Sequence, residues 1–306
     1  MGEERLTVTK ETFALPDADE IILNLVKQGK EVPDDCQLKL FELPNAEEVL
    51  LEHIKHEDLS DEAVIKLFEF PYAAKIMLEY VKLEIFLSPE AELKLFELPN
   101  AAEVLLEYVK QENSLRDEAE LKLFELPNAV EVLLEYIKRE NRLSDETVFK
   151  LFEFTYAAEV LLEYIKQENR LSDEVVIKLF ELPNAAEVLL EYIKQENLLS
   201  DEAVIKIFEL PNAAEILYEY VINQKHYLTE KVLHKLFELP NVGKILLGYI
   251  KQGNSLDTES LCKILDLPEA DEIMRRYAIY TSFLPSEIKN KISKLPSAET
   301  IMRLLD

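Results

Sequence analysis

Four histidines, two cysteines and two recurring ranks of carboxylates are the side chains of this 306-residue chain whose chemistry could go beyond packing. His53 and His56 are three residues apart with Glu57 beside them, which on a helix could begin a metal site. The ligand set stops there. Both residues also stand in columns that otherwise read Tyr and Gln, so drift within a repeat explains them better. The remaining histidines are His226 and His234. Cys36 and Cys262 fall in predicted helices near small or apolar columns, where a thiol is ordinarily a buried small side chain. A nucleophile would need a base, and no histidine partner is suggested for either. The chain has no Gly-rich phosphate loop, nucleophile elbow or zinc spacing. No catalytic residue, metal site or cofactor is expected, and the chain does not read as an enzyme.

The carboxylates recur once per repeat. Glu69, Glu97, Glu125, Glu153, Glu181 and Glu209 form one column, and Glu79, Glu107, Glu135, Glu163, Glu191 and Glu219 another. Acid–base chemistry needs one pair set apart from its copies, which an identical rank does not supply. Rows of charge on helices are mostly solvated faces. Stacked side by side at the helix packing distance of about 10 Å, the columns would also form stripes making an acidic track for a partner.

The elements that must position these residues are written in the repeat itself. "ELPNAAEVLLEYIKQEN" at 181–197 is nearly repeated at 97–113 as "ELPNAAEVLLEYVKQEN". Counting from Pro16 through Pro44, Pro71, Pro99, Pro127, Thr155, Pro183, Pro211, Pro240, Pro268 and Pro296 gives eleven units with a period of about 28 residues. The one-residue slips fall between His53 and Leu59 and between Tyr220 and Leu228, both between units. Each unit reads as two short helices. In 199–226, Ser200 caps the first, Asp201 and Glu202 occupy its first turn, and Glu202 and Lys206 make an i,i+4 pair. Ala203, Val204, Ile205, Ile207, Phe208 and Leu210 cover a wide apolar arc. Pro211 stops the helix, because the residue before a proline leaves the α region. Asn212 with Glu215 is expected to form an Asn-x-x-Glu capping box for the second helix, as are Asn45/Glu48, Asn100/Glu103, Asn128/Glu131 and Asn184/Glu187. The second helix buries Ala213, Ile216, Leu217, Tyr220 and Val221. Both helices are apolar over more than half their circumference, so a lone hairpin cannot bury them and neighbouring units must.

Departures from the repeat are the other candidates for a partner surface. "FEFPYAA" at 68–74 and "FEFTYAA" at 152–158 place Phe70 and Phe154 where Leu is usual, and Tyr72 and Tyr156 where the capping Asn is usual. Loss of that cap would cost about 1 kcal/mol. "KLEIFLSPE" at 82–90 puts Leu83, Ile85 and Phe86 in a predicted loop. The two aromatic variants lie 84 residues apart, which a duplicated three-unit block would explain, although neighbouring units do not copy cleanly. Against that stands the reading in which Phe70, Tyr72, Ile85, Phe86, Phe154 and Tyr156 are anchors for a partner.

Composition limits the partner. The chain is 48% apolar, with 61 Asp plus Glu against 34 Lys plus Arg, a net charge of −27. Such a surface repels phosphate backbones, which disfavours nucleic acid and anionic membrane and favours a protein or basic peptide. Two widely separated cysteines imply no disulfide framework and fit a reducing, cytoplasmic compartment. The opening "MGEERLTVTK" has no apolar secretory region, and no apolar run is long enough to span a bilayer. The first unit lacks the Ser-Asp-Glu start, and the last two carry Arg275, Arg276, Lys289, Lys291, Lys294 and Arg303, as divergent capping units would.

Stacked two-helix units of this kind resemble the α-solenoids, such as tetratricopeptide and HEAT arrays. The tetratricopeptide pattern itself is absent, since the chain has no Trp and a shorter period. The DNA-reading helical arrays of plant pathogens share the short period, but their base-reading loop pairs and basic inner surface are absent. The repeated Leu-Pro-Asn-Ala in a Lys-, Asn-, Ile- and Tyr-rich chain is similar to effector proteins of intracellular bacteria, which would imply delivery into a host cytosol.

The expected fold is an all-α, right-handed superhelical α-solenoid of stacked helix pairs, spanning 1–306 as one elongated domain of about eleven units. The expected function is a non-catalytic scaffold presenting an acidic curved surface. The alternative is a self-associating rod joined end to end; otherwise a monomer is expected. Deleting one whole internal unit, 172–199, should leave a folded protein, because the new junction regenerates a standard interface. Far-UV circular dichroism checks this, and loss of all helical signal would refute the register.

Overall fold

The computed structural model describes residues 8–83, 85–223, 228–281 and 284–305. His226 and most of the second slip region therefore lie outside the described residues. Within the described residues the chain is all α-helix and short 3-10 turns in a regular repeating pattern, an α-solenoid. It divides into two compact units, 1–151 and 152–306.

In 1–151 the helices preceding each Leu-Pro turn, called first helices here, are Asp34–Leu40, Asp61–Leu67, Pro89–Lys94, Asp117–Lys122 and Asp145–Leu151. The second helices are Ala18–Lys27, Ala46–His53, Ala73–Tyr80, Ala101–Lys110 and Ala129–Lys138. Each first helix packs on the next first helix and each second on the next second, so the unit is two rows of helices. The same two rows recur in 152–306, from Ala157–Lys166 to Ala298–Leu304 and from Asp173–Leu179 to Ser286–Ile292. The core lies between rows: Ala63, Val64 and Leu67 of a first helix, and Ala73, Ile76, Met77 and Tyr80 of a second, are at most 3% exposed.

The first helices start as their sequence requires. Ser60, Ser88, Ser172 and Ser200 each accept a hydrogen bond from the amide three residues on. They stop as expected too, since Leu98 and Leu126 before the prolines are extended, with ψ of 145° and 144°.

The second helices are not capped by Asn. Leu-Pro-Asn-Ala closes a β-turn, with Ala101 N donating to Leu98 O (3.1 Å) and Ala213 N to Leu210 O (3.2 Å). Asn100, Asn128 and Asn184 occupy its third position with φ near −115° and ψ near +34°, outside the extended region an N-cap side chain needs. The Glu103 amide is met instead by the backbone carbonyl of Asn100 (3.0 Å). Asn45 Nδ2 reaches across to Asp19 O of the preceding second helix (3.2 Å). The capping-box expectation is therefore wrong, and Tyr72 and Tyr156 gave up no cap by replacing Asn.

At the other end of the second helices the chain turns through left-handed backbone. Glu112, Glu140, Glu168 and Glu196 have φ of 56–62°, in the register where Gly29 (66°) and Gly253 (82°) stand. The following Asn113, Asn141, Asn169 and Asn197 side chains donate to the carbonyl of the helix tyrosine five residues back, at 3.0–3.2 Å. A non-glycine residue in this conformation costs about 1–2 kcal/mol, partly offset because it has less unfolded-state entropy to lose than glycine. Glu140 is exposed. Glu140→Gly should raise stability by roughly 1 kcal/mol, read as a higher denaturation midpoint; a lower midpoint would refute the strain.

Candidate functional site

The first-helix row leaves part of its apolar arc uncovered. Neighbours on either side bury Ala203, Val204 and Ile207, but Ile205, Phe208 and Leu210, expected to be buried, are only half-buried. A helix in a row has two flanks and one back to press against, so the remaining side faces water. In 1–151 this side carries Leu38, Ile65, Leu93, Leu121 and Phe149, each half-buried or, for Leu38, 40% exposed. Exposed first-turn acids border them: Asp61 and Glu62, Glu90, Asp117 and Glu118, Asp145 and Glu146.

The lysines of several first helices stand over aromatic rings of the preceding repeat, and the expected Glu202–Lys206 pair does not form. Lys206 does not reach Glu202 within an ion pair; its Nζ lies 6.0 Å from the Phe180 ring centre. Lys178, Lys235 and Lys263 stand likewise over Phe152, Phe208 and Phe237 at 5.1–5.6 Å. In the other unit Lys39 lies over Phe13 at 5.6 Å.

Two open clefts lie in 1–151, one against the helix Asp61–Leu67 and one at the turns leading into the helices Ala46–His53 and Ala73–Tyr80. One, of about 670 Å³, has Leu38, Ile65 and Pro89 as its apolar lining and Asp61, Glu62, Glu69 and Glu90 as its acids. Its cation, Lys66, is ion-paired to Glu69. The other, of about 590 Å³, is walled by Phe41, Phe70 and Tyr72. Phe41 and Phe70 stack with ring centres 5.2 Å apart, and Phe70 and Tyr72 at 5.3 Å. Phe154 and Tyr156 make the same contact at 5.2 Å. The Tyr72 and Tyr156 hydroxyls and Asn45 Oδ1 are buried without a hydrogen-bond partner. Burial raises the Tyr72 pKa, and the Glu47 carboxylate adds to it.

The sequence candidates fare unequally. Glu69, Glu97, Glu125, Glu153, Glu181 and Glu209 are all exposed. The second column is largely neutralised: Lys82 pairs with Glu79, Lys110 with Glu107 and Arg139 with Glu135 at 2.7–3.0 Å, and Lys166 with Glu163 and Lys194 with Glu191 at 3.7–3.9 Å. Phe70, Tyr72, Phe154 and Tyr156 are half-buried in their stacks. Phe86 is 92% exposed, but Ile85 is 5% exposed and cannot serve as a surface anchor. It replaces the inward Asn of the "QEN" turn, so an apolar side chain there packs into the core. Cys36 is buried and burial raises its pKa, whereas Cys262 is only half-buried, with Lys291 Nζ 3.2 Å from Sγ. The repeat pattern does not set Leu38, Ile65, Glu62 or Glu90 apart from their counterparts in other units, and Pro89 departs from it only by replacing an Asp. The signal for them was an apolar arc wider than flanking helices can cover.

The buried polar groups tie repeat to repeat. Tyr80 Oη accepts from Leu59 N (3.0 Å) and Tyr136 Oη from Leu115 N (3.2 Å), pinning the loop that enters the first helix. Burial pushes Tyr80 up to about 12, and burial with the Glu120 carboxylate raises Tyr136 further. Gln37, Glu92 and Glu120, each at most 2% exposed, accept the cap amide of the next first helix, from Ser60 (2.7 Å), Arg116 (2.9 Å) and Ser144 (2.9 Å). Burial raises the Glu92 pKa against the opposing pull of Arg116. Each of these groups is engaged in holding backbone. Among the described residues no group of His, Cys, Asp and Glu is placed to hold a metal ion.

No protein family, curated protein or solved structure matches this chain.

His53 is the weak member of the tyrosine column. It is 1% exposed, Nε2 has no partner, and Nδ1 lies 3.9 Å from Glu57, whose carboxylate accepts the Val32 amide in place of a tyrosine hydroxyl (3.0 Å). Burial lowers its pKa, against the attraction of Glu57. As pH falls below about 6.5, the unfolded chain binds a proton that the folded chain resists, so stability should fall with pH from there down to the lowered folded value. His53→Tyr should remove this part of the pH dependence in thermal melts. An unchanged slope would show that His53 charges freely in the fold.

Proposed function

We propose that this protein is a non-catalytic interaction scaffold whose first-helix face binds a protein segment or basic peptide. The observation that carries the reading is the partly open apolar row of residues 1–151 lying beside exposed carboxylates. Apolar rows with a polar border are what binding surfaces leave open. The net charge of −27 favours a basic partner over nucleic acid or an anionic membrane. Among the described residues no helix is long and apolar enough to cross a membrane. The stacked helix pairs are likened to tetratricopeptide and HEAT arrays by this reading, and both cysteines are free, which suits a reducing compartment such as a host cytosol.

The rod alternative is disfavoured at one end. In the last helix pair Lys289 stands where other repeats have the buried Val64, Val176 or Val204, and Ser293 where they have Phe68 or Phe208; both are exposed. A surface of this kind resists stacking another copy.

A fluorescent lysine-rich peptide titrated onto the full chain tests the reading. Association should slow markedly from low to physiological salt, and a glutamate-rich counterpart should not bind. Salt-independent association, or a mass that rises with protein concentration in light scattering, would favour the rod instead.

A further inference from the structure

Resting on that reading, we propose that the cleft at Leu38, Ile65 and Pro89 is the anchor subsite of the scaffold, and that it takes one aliphatic side chain flanked by lysine or arginine. Its volume of about 670 Å³ lies within the range of pockets that hold a ligand. Leu38 is 40% exposed and Ile65 half-buried, so an apolar surface is open to water. Pro89 extends it: in the register where other repeats carry Asp61, Asp117 and Asp145, it puts a ring without an amide donor at the start of its helix.

The charges are one-sided. Lys66 is held by Glu69 and its Nζ lies 5.9 Å from the Phe70 ring centre. Asp61, Glu62 and Glu90 make no ion pair among the described residues, and the one lysine of the cleft is taken by Glu69. Their first-turn positions suit the helix dipole in every repeat, but that does not account for Pro89 or for the openness of Leu38. A wholly apolar ligand would leave these carboxylates uncompensated, and a plain polycation would leave Leu38 and Ile65 in water. A segment with an aliphatic side chain between basic ones meets both needs.

The test uses the full chain and capped, labelled seven-residue peptides with one leucine among lysines, with serine replacing the leucine, and with glutamates replacing the lysines. The leucine peptide should bind about tenfold more tightly than the serine peptide. Leu38→Ser and Ile65→Ser should each abolish that preference, and the double change Glu62→Gln, Glu90→Gln should weaken both lysine peptides together. Thermal melts check folding; Leu38→Ser, on an exposed side chain, keeps the test decisive if Ile65→Ser unfolds. Equal affinity for the leucine and serine peptides, or a preference that survives both serine variants, would overturn the subsite while leaving the scaffold reading intact. Failure of both lysine peptides to bind the unmodified chain would overturn the scaffold reading itself.

Discussion

A repeat with two helices, each apolar over more than half its surface, cannot cover itself. Everything else in this structure follows from how that deficit is met. Second helices press on second helices and first helices on first helices. The residues facing along the rows, such as Val64, Leu67, Ile76 and Met77, reach near-complete burial. Hydrophobic burial of this kind is strong but has no direction of its own, so something else must set the register between one repeat and the next.

Buried polar groups supply that direction. A tyrosine hydroxyl on the second helix fixes the loop before the first, as Tyr80 does for Leu59 and Tyr249 for Leu228 (3.2 Å). Gln37, Glu92 and Glu120 reach from one first helix to the cap amide of the next. A buried amide left unmet would cost about 1–3 kcal/mol, so these bonds penalise slipped packings more than they reward the correct one. The repeat containing His53 shows the rule through its exception. Imidazole replaces the hydroxyl, and Glu57 meets the amide of Val32.

The deficit is not fully met, and its remainder is the surface proposed to bind. Stacking in a row closes two flanks of the first helices and their backs, and leaves Leu38, Ile65 and Phe149 partly in water. Carboxylates beside that row serve the helix dipole in every repeat, and in the proposed function they also select a basic partner. Beside the proposed subsite the one lysine, Lys66, pairs with Glu69 and stands over the Phe70 ring.

The repeat period, the helix pair in each unit, the serine caps and the proline stops were legible in the sequence, because each depends on residues within a few positions of one another. Ser200 three residues before Ala203, or Leu98 before Pro99, carries its conformation in its immediate neighbours. The role of Asn100 was not legible in the same way: the pattern matches a capping box, but the turn closed by Leu98 and Ala101 sets a backbone angle from which the side chain cannot reach. The left-handed glutamates were hidden too, since only alignment with Gly29 and Gly253 betrays the strain that the helix-ending turn imposes. Ile85 read as a loop residue free to meet a partner, and tertiary packing turned it inward. The sequence by itself determined that apolar arcs exist on both helices, because composition at helical spacing is a local property. Which part of each arc is covered, and that Leu38, Ile65 and Pro89 meet around one acidic cleft, was decided only by the tertiary structure, because burial belongs to the space between helices some 27 residues apart in the chain.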